Sequence, residues 1–358
     1  MHIPEEVYRE RVKKFQSLLK DEGIDVAILR ALSSYTYFTG TRWLRPALLI
    51  PQDGEPIALV VKNEKYGFMK RSWIKNVVEY KSAENLMAYI TGFIKKNKYR
   101  AVGLEYTVER DSFMLFLAVF QRLNPNVEIK DIHPIVMELR RIKDKWEIES
   151  IKRAGEIAAT GREVAREVVK EGKTELEIAR EIINELMLEG SEAPQVYVSA
   201  IPRIHSEPMR DVYVEEGQVV QVVIGADYNN YYVNTARSFP IGKVSNRANR
   251  AIYAMDEAFD LAIEETRPGI KFIQIEKKIE EIYKRYELDE FYIKGYTHGV
   301  GLLIEEDPIT TIVVQHRFQV IEEGMVLAMV HAPLILPEGV IKKECTVITE
   351  SDGVKIIT

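Results

Sequence analysis

QVVIGADYNNYYVNTARSFP, residues 221–240, decides how the rest of the chain is read. Val219 to Ile224 is β-branched apart from Gln221 and is closed by Gly225, which is the composition of a buried strand. Asp227-Tyr228-Asn229-Asn230 supplies turn residues, and Tyr231 to Arg237 starts a second strand, so the stretch reads as a hairpin. The stretch also carries two polar residues, Asn234 and Arg237, among its apolar ones.

Three segments downstream share that character. Thr297-His-Gly-Val-Gly-Leu302 sets His298 among small residues, Glu323-Gly-Met-Val-Leu-Ala-Met-Val330 runs into His331, and Lys342-Lys-Glu344-Cys-Thr-Val347 carries a carboxylate in a strand-like context. Strand parity puts His331 on the face opposite Val330 unless a bulge intervenes.

Upstream, Pro4–Glu22 has apolar residues at helical spacing, and Asp25–Leu29 is a strand. Ala47–Val61 reads as two strands joined at Asp53-Gly54. A helix from Ser82, a strand at Arg100–Leu104 and a helix over Asp111–Leu123 complete an α/β domain over residues 1–135. Met137–Lys170 reads as one long helical region, and Thr174 with Glu177 forms a capping box. Helices over Asn246–Glu265 and Lys271–Tyr286 follow the hairpin, with a strand expected at Phe291–Lys294.

At 358 residues there is room for two cores. The 49 basic and 55 acidic residues give a net charge of −6, which argues against a nucleic-acid partner. No apolar run approaches the roughly 20 residues that span a bilayer, and the charged start is unlike a secretory leader. The single cysteine, Cys345, excludes an internal disulfide and suits a reducing cytoplasm. A charged content of 29 %, rich in Lys and Glu, hints at a thermophilic source.

These motifs resemble the pita-bread metallopeptidases: prolidase (Xaa-Pro dipeptidase), aminopeptidase P, methionine aminopeptidase and the related creatinase. The resemblance implies a small amino-terminal α/β domain at 1–135 and a pita-bread domain at 136–358. It also implies five metal-ligand positions, of which His298 and Glu344 match while Val223, Asn234 and Val330 replace ligands. His205 and Glu305 fall near positions that face substrate, so His205, His298, Glu305 and Glu344 are the candidate acid–base groups, with Asn234, Arg237 and His331 as binding residues.

A dinuclear site depends on bridging carboxylates. The expectation is therefore no cofactor, or at most one weakly held divalent ion. Three functions stay open: a metal-independent, creatinase-like hydrolase; a non-catalytic paralogue (a pseudoenzyme) binding a small peptide or amino-acid-like ligand; and, ranked last, a metal-dependent Xaa-Pro dipeptidase with an atypical site. The resemblance also implies a homodimer, for which Tyr35, Tyr37, Trp43 and Leu44 are candidate anchors.

Overall fold

A computed structural model describes residues 3–107, 109, 112–203 and 207–358. The chain forms two compact units, one ending at Arg140 and the other running from Arg141 to Thr358. In the first, strands β1 (Val26–Leu29), β2 (Leu48–Pro51), β3 (Ile57–Val61), β4 (Val77–Tyr80), β5 (Ala101–Leu104) and β6 (Glu128–Asp131) make a six-stranded sheet. Its order is β4-β3-β2-β1-β5-β6. The helices are α1 (Glu5–Asp21), α2 (Leu32–Thr39), α3 (Lys65–Arg71), α4 (Ala83–Asn97), α5 (Ser112–Leu123) and α6 (His133–Arg141).

Tyr35 and Tyr37, on α2, are buried within this unit. That removes them as interface anchors: helix α2, which strand-and-helix counting missed, turns its aromatic rings inward. Trp43 is half-buried and bonds Glu64, whereas Leu44 is exposed.

The second unit opens with α7 (Lys145–Val168) and α8 (Glu175–Leu188). The helical region expected to run unbroken from Met137 stops at Arg141 and restarts at Lys145. Asp144 caps the new helix, accepting from Trp146 and Glu147 while Glu147 reaches back to the Asp144 N–H. Such a box satisfies the first free N–H groups and so starts a helix even where apolar spacing continues across it.

Strands β7 (Gln195–Ser199), β8 (Val219–Tyr228) and β9 (Tyr231–Pro240) follow, then α9 (Asn246–Glu265) and α10 (Phe272–Arg285). The last strands are β10 (Thr297–Gly299), β11 (Glu306–Ile309), β12 (Val326–Met329), β13 (Leu334–Leu336), β14 (Gly339–Ile341), β15 (Cys345–Glu350) and β16 (Gly353–Ile356). The strand expected at Phe291–Lys294 does not form: Phe291 ends a short 3-10 turn over Asp289–Phe291, and Tyr292 makes an isolated bridge to Leu334. The hairpin strands are longer than read: only Asn229 and Asn230 turn, at φ of 50° and 71°, the left-handed pair that suits the twist of two paired strands.

One five-stranded sheet runs β11-β10-β12-β15-β16, and the other β13-β14-β8-β7 with β9 paired to β8. The two meet where Ala236 of β9 exchanges backbone hydrogen bonds with Glu344, one residue ahead of β15. Among the described residues no helix is long and apolar enough to cross a membrane.

Candidate active site

The meeting of the two sheets brings the candidate residues together. Val223 pairs with Ala236, and Ala236 with Glu344, so these positions share one face of the sheet with Asn234, two residues along β9. His298 on β10 pairs with Ala328 on β12, which in turn pairs with Thr346 on β15. Strand alternation thus aims His298 and Glu344 at a common point. The glycines around His298 have a steric purpose. A Cβ on Gly299 would run into the Asp307 and Glu306 carbonyls of β11, which crosses at that position.

His298, Asn234, Glu344 and His331 are all buried. The Nδ1 of His298 lies 2.8 Å from the Gly299 carbonyl, which can only accept. The ring proton therefore sits on Nδ1, and the Nε2 lone pair faces the cluster. Nδ1 of His331 is 3.1 Å from that Nε2 and 3.1 Å from Oε1 of Glu344. The amide of Asn234 donates to Oε1 of Glu344 at 3.2 Å, while its own Oδ1 is buried without a hydrogen-bond partner among the described residues.

Val330 is where residue counting fails. It takes a left-handed conformation, φ 58°, and its side chain lies in the apolar core formed with α9 and α10. That single twist turns Val330 away from the site and swings His331 into it, with the His331 N–H held by the Tyr296 carbonyl at 2.7 Å. The assignment of Val330 to the ligand shell is corrected accordingly: His331 occupies the place.

Lys342 is the residue that motif reading passed over. Its Nζ lies 2.9 Å from Oε2 of Glu344 and 3.2 Å from Nδ1 of His331, and its side chain is 1 % exposed. The signal was present, since Lys342 and Glu344 are two apart in an extended segment and project from one face. Burial pushes the Glu344 carboxyl upward, but the Lys342 charge together with His331 and His298 outweighs it and holds the group well below the usual range. Burial, assisted by Lys342 and His298, holds His331 well below the ordinary imidazole value, so its ring is neutral.

The other candidates lie elsewhere or play a supporting part. Arg237 donates from Nη1 to the Ala236 and Glu344 carbonyls, at 2.6 and 2.7 Å, and so fixes the backbone that carries Glu344. Among the described residues no hydrogen bond or ion pair joins Glu305 to His298 or Glu344. Instead its charge, after burial and Glu207 and Tyr232, raises the pKa of Tyr197 on β7. Asp227, a conceivable substitute ligand, accepts from Ser191 and from the Glu192 and Ala193 N–H groups, so it braces a loop. His205 lies outside the described residues.

Does this cluster fit a metal? For a pair of ions it does not: Glu344 is its single carboxylate and Lys342 already neutralises it, whereas two divalent ions bring four positive charges. For one ion the donors fit. One atom each from His298, His331 and Glu344 lie within 4.8 Å of one another, and two imidazoles with a carboxylate form a recurrent mononuclear set.

The sequence profile described as metallopeptidase family M24 matches residues 149–355, and that of the creatinase/prolidase N-terminal domain matches residues 11–142. The chain is 29 % identical to an Xaa-Pro dipeptidase of Pyrococcus furiosus over 98 % of both chains. It is 26 % identical to one of Lactobacillus helveticus, over 96 % of this chain and 95 % of the relative. The solved prolidase of Pyrococcus horikoshii superposes with a TM-score of 0.86 at 24 % identity, over 98 % of both chains. The prolidase of Pyrococcus furiosus superposes at 0.83 and 26 %, over 96 % of this chain and 98 % of that one. The fold expected from the motifs, a creatinase-type α/β domain followed by a pita-bread domain, is the fold observed.

Proposed function

Because this chain belongs to metallopeptidase family M24, we propose that it hydrolyses dipeptides of the Xaa-Pro class with one divalent ion in place of a metal pair. The carrying observation is the convergence of His298 Nε2, His331 Nδ1 and Glu344 Oε1, with the His298 tautomer already set for ligation. Similarity to Xaa-Pro dipeptidases along almost the whole chain supports the substrate class. An ion held there would act as a Lewis acid on the scissile carbonyl. His298 would ligate as it stands, and His331 in the tautomer that leaves Nδ1 without a proton. Arg237 keeps the Glu344 backbone in place, and the unpartnered Oδ1 of Asn234 offers an acceptor to the ion or to a substrate N–H.

The loss of ligands at Val223 and Asn234 belongs to the same proposal, with His331, not Val330, turned into the site. A second reading, binding of a dipeptide-like ligand without metal or turnover, is favoured by one observation: Lys342 already compensates Glu344. A homodimer completes the proposal, with exposed Leu44 as the surviving apolar anchor.

The test is proline release from Xaa-Pro dipeptides by chelator-treated protein as Mn²⁺ or Co²⁺ is added, alongside dipeptide calorimetry in chelator. Turnover that saturates at one ion per chain is the expected result. Binding in chelator with no turnover at any metal level would establish the second reading. Two ions per chain surviving dialysis would overturn the single-ion centre, and no dipeptide binding under any condition would overturn both readings.

A further inference from the structure

We infer that Lys342 is a built-in cation that competes with metal for the His298–His331–Glu344 group and so sets the metal affinity of the centre. The inference rests on reading this cluster as the M24 centre, but it concerns ion binding, not peptide cleavage. Lys342 is fixed at both ends. Its N–H donates to Ser238 Oγ at 2.7 Å and its carbonyl accepts from the same hydroxyl at 3.1 Å, while Nζ lies between Oε2 of Glu344 and Nδ1 of His331.

Those two atoms belong to two of the three residues that would ligate an ion. An ion must therefore displace the ammonium or share a buried space with a like charge, and burial makes the repulsion far stronger than in water. The charge arithmetic points the same way. With Lys342 present the cluster is neutral: one carboxylate, one ammonium, two imidazoles and an amide. Without it, Glu344 is a buried, uncompensated anion flanked by two imidazole donors, which is an attractive site for a divalent cation. Lys343 cannot substitute, because its Nζ turns outward to Asp256 at 2.7 Å.

The experiment compares the parent with Lys342→Met, Lys342→Gln and the control Lys343→Met. Each is stripped with chelator, dialysed and titrated with CoCl₂, following the visible absorption of bound Co²⁺ and the melting temperature. Lys342→Met should bind one Co²⁺ per chain at least about tenfold more tightly than the parent, and gain more in melting temperature from it. Lys343→Met should match the parent, and adding His298→Ala to Lys342→Met should abolish the gain. Equal Co²⁺ affinity in parent and Lys342→Met, or an equal gain in Lys343→Met, overturns the inference. If Lys342→Met folds only with Co²⁺ present, that supports it. Lys342→Gln, which removes the charge but keeps a polar side chain, carries the comparison if the methionine variant aggregates. Should both variants stay unfolded with Co²⁺ present, the ion cannot stand in for the ammonium and the idea fails. None of these readouts involves proline release, so the outcome stands apart from that of the dipeptidase reading.

Discussion

His331 ties the centre to pH. Its imidazole, ordinarily near 6.5, is held well below that value in the folded chain, chiefly by burial. The unfolded chain therefore takes up a proton, as pH falls below 6.5, that the folded chain refuses. Stability from this group is complete above 6.5 and declines as pH drops toward the lowered folded value. Glu344 adds a second loss below its ordinary 4.5, since its folded carboxyl is also depressed. We expect the melting temperature in chelator to fall between pH 6.5 and 4.5, and His331→Asn to flatten that interval while keeping the steeper fall below it. Parallel curves for parent and variant across the interval would mean that His331 does not titrate as described. The sequence offered this residue as a binding candidate that strand parity turned away from the Val330 face unless a bulge intervened. Its entry into the cluster follows from one backbone angle, which no side-chain pattern encodes.

At the scale of elements, β12 shows how a strand end can shift the register of chemistry. Leu327 and Met329 face the helix-side core and Ala328 faces the site, so continued alternation would send residue 330 to the site. The left-handed turn at Val330 reverses the order. A β-branched residue there costs about 1–3 kcal/mol of strain, against which burial of its side chain returns about 1.5–3 kcal/mol. Val330→Glu should therefore place a carboxylate in the apolar core at a cost of several kcal/mol, with no recovery from added Mn²⁺ or Co²⁺. His331→Glu should place it beside Glu344, where Mn²⁺ or Co²⁺ raises the melting temperature. Melting curves with and without metal check both, and a metal-dependent rise in Val330→Glu would contradict the assignment. Capping and periodicity made most elements readable: the box at Thr174 and Glu177 stands as expected. They failed where a cap interrupts a continuing apolar pattern, at Asp144, and where inward-facing aromatics form a short helix, at Tyr35 and Tyr37.

Across the whole molecule, the alternation of helices and strands was enough to foresee a mixed α/β chain, whereas the two-domain architecture was foreseen only through the resemblance of its motifs to a known family. Of the residues singled out in the sequence, the fold brings His298 and Glu344 together, with the neighbours of His298 constrained by close strand crossing, as at Gly299. For Lys342 the sequence showed only that it shares a face with Glu344; its burial was not legible, because a lysine in an extended segment is ordinarily solvent-facing and its burial depends on a partner only the fold supplies. One other residue of that strand region gives the molecule a clock. Cys345 follows Glu344 directly, pairs with Met329 across β12, and is fully buried, with burial pushing its thiol up to about 12. It is the only cysteine. A disulfide reagent can reach it only when the sheet carrying Glu344 parts, and only the thiolate reacts. Native protein should stay unlabelled over hours and become reactive in step with denaturant; rapid labelling in buffer alone would show that the sheet breathes. The rate at which one sulfur is marked thus times how often the floor of the centre comes apart.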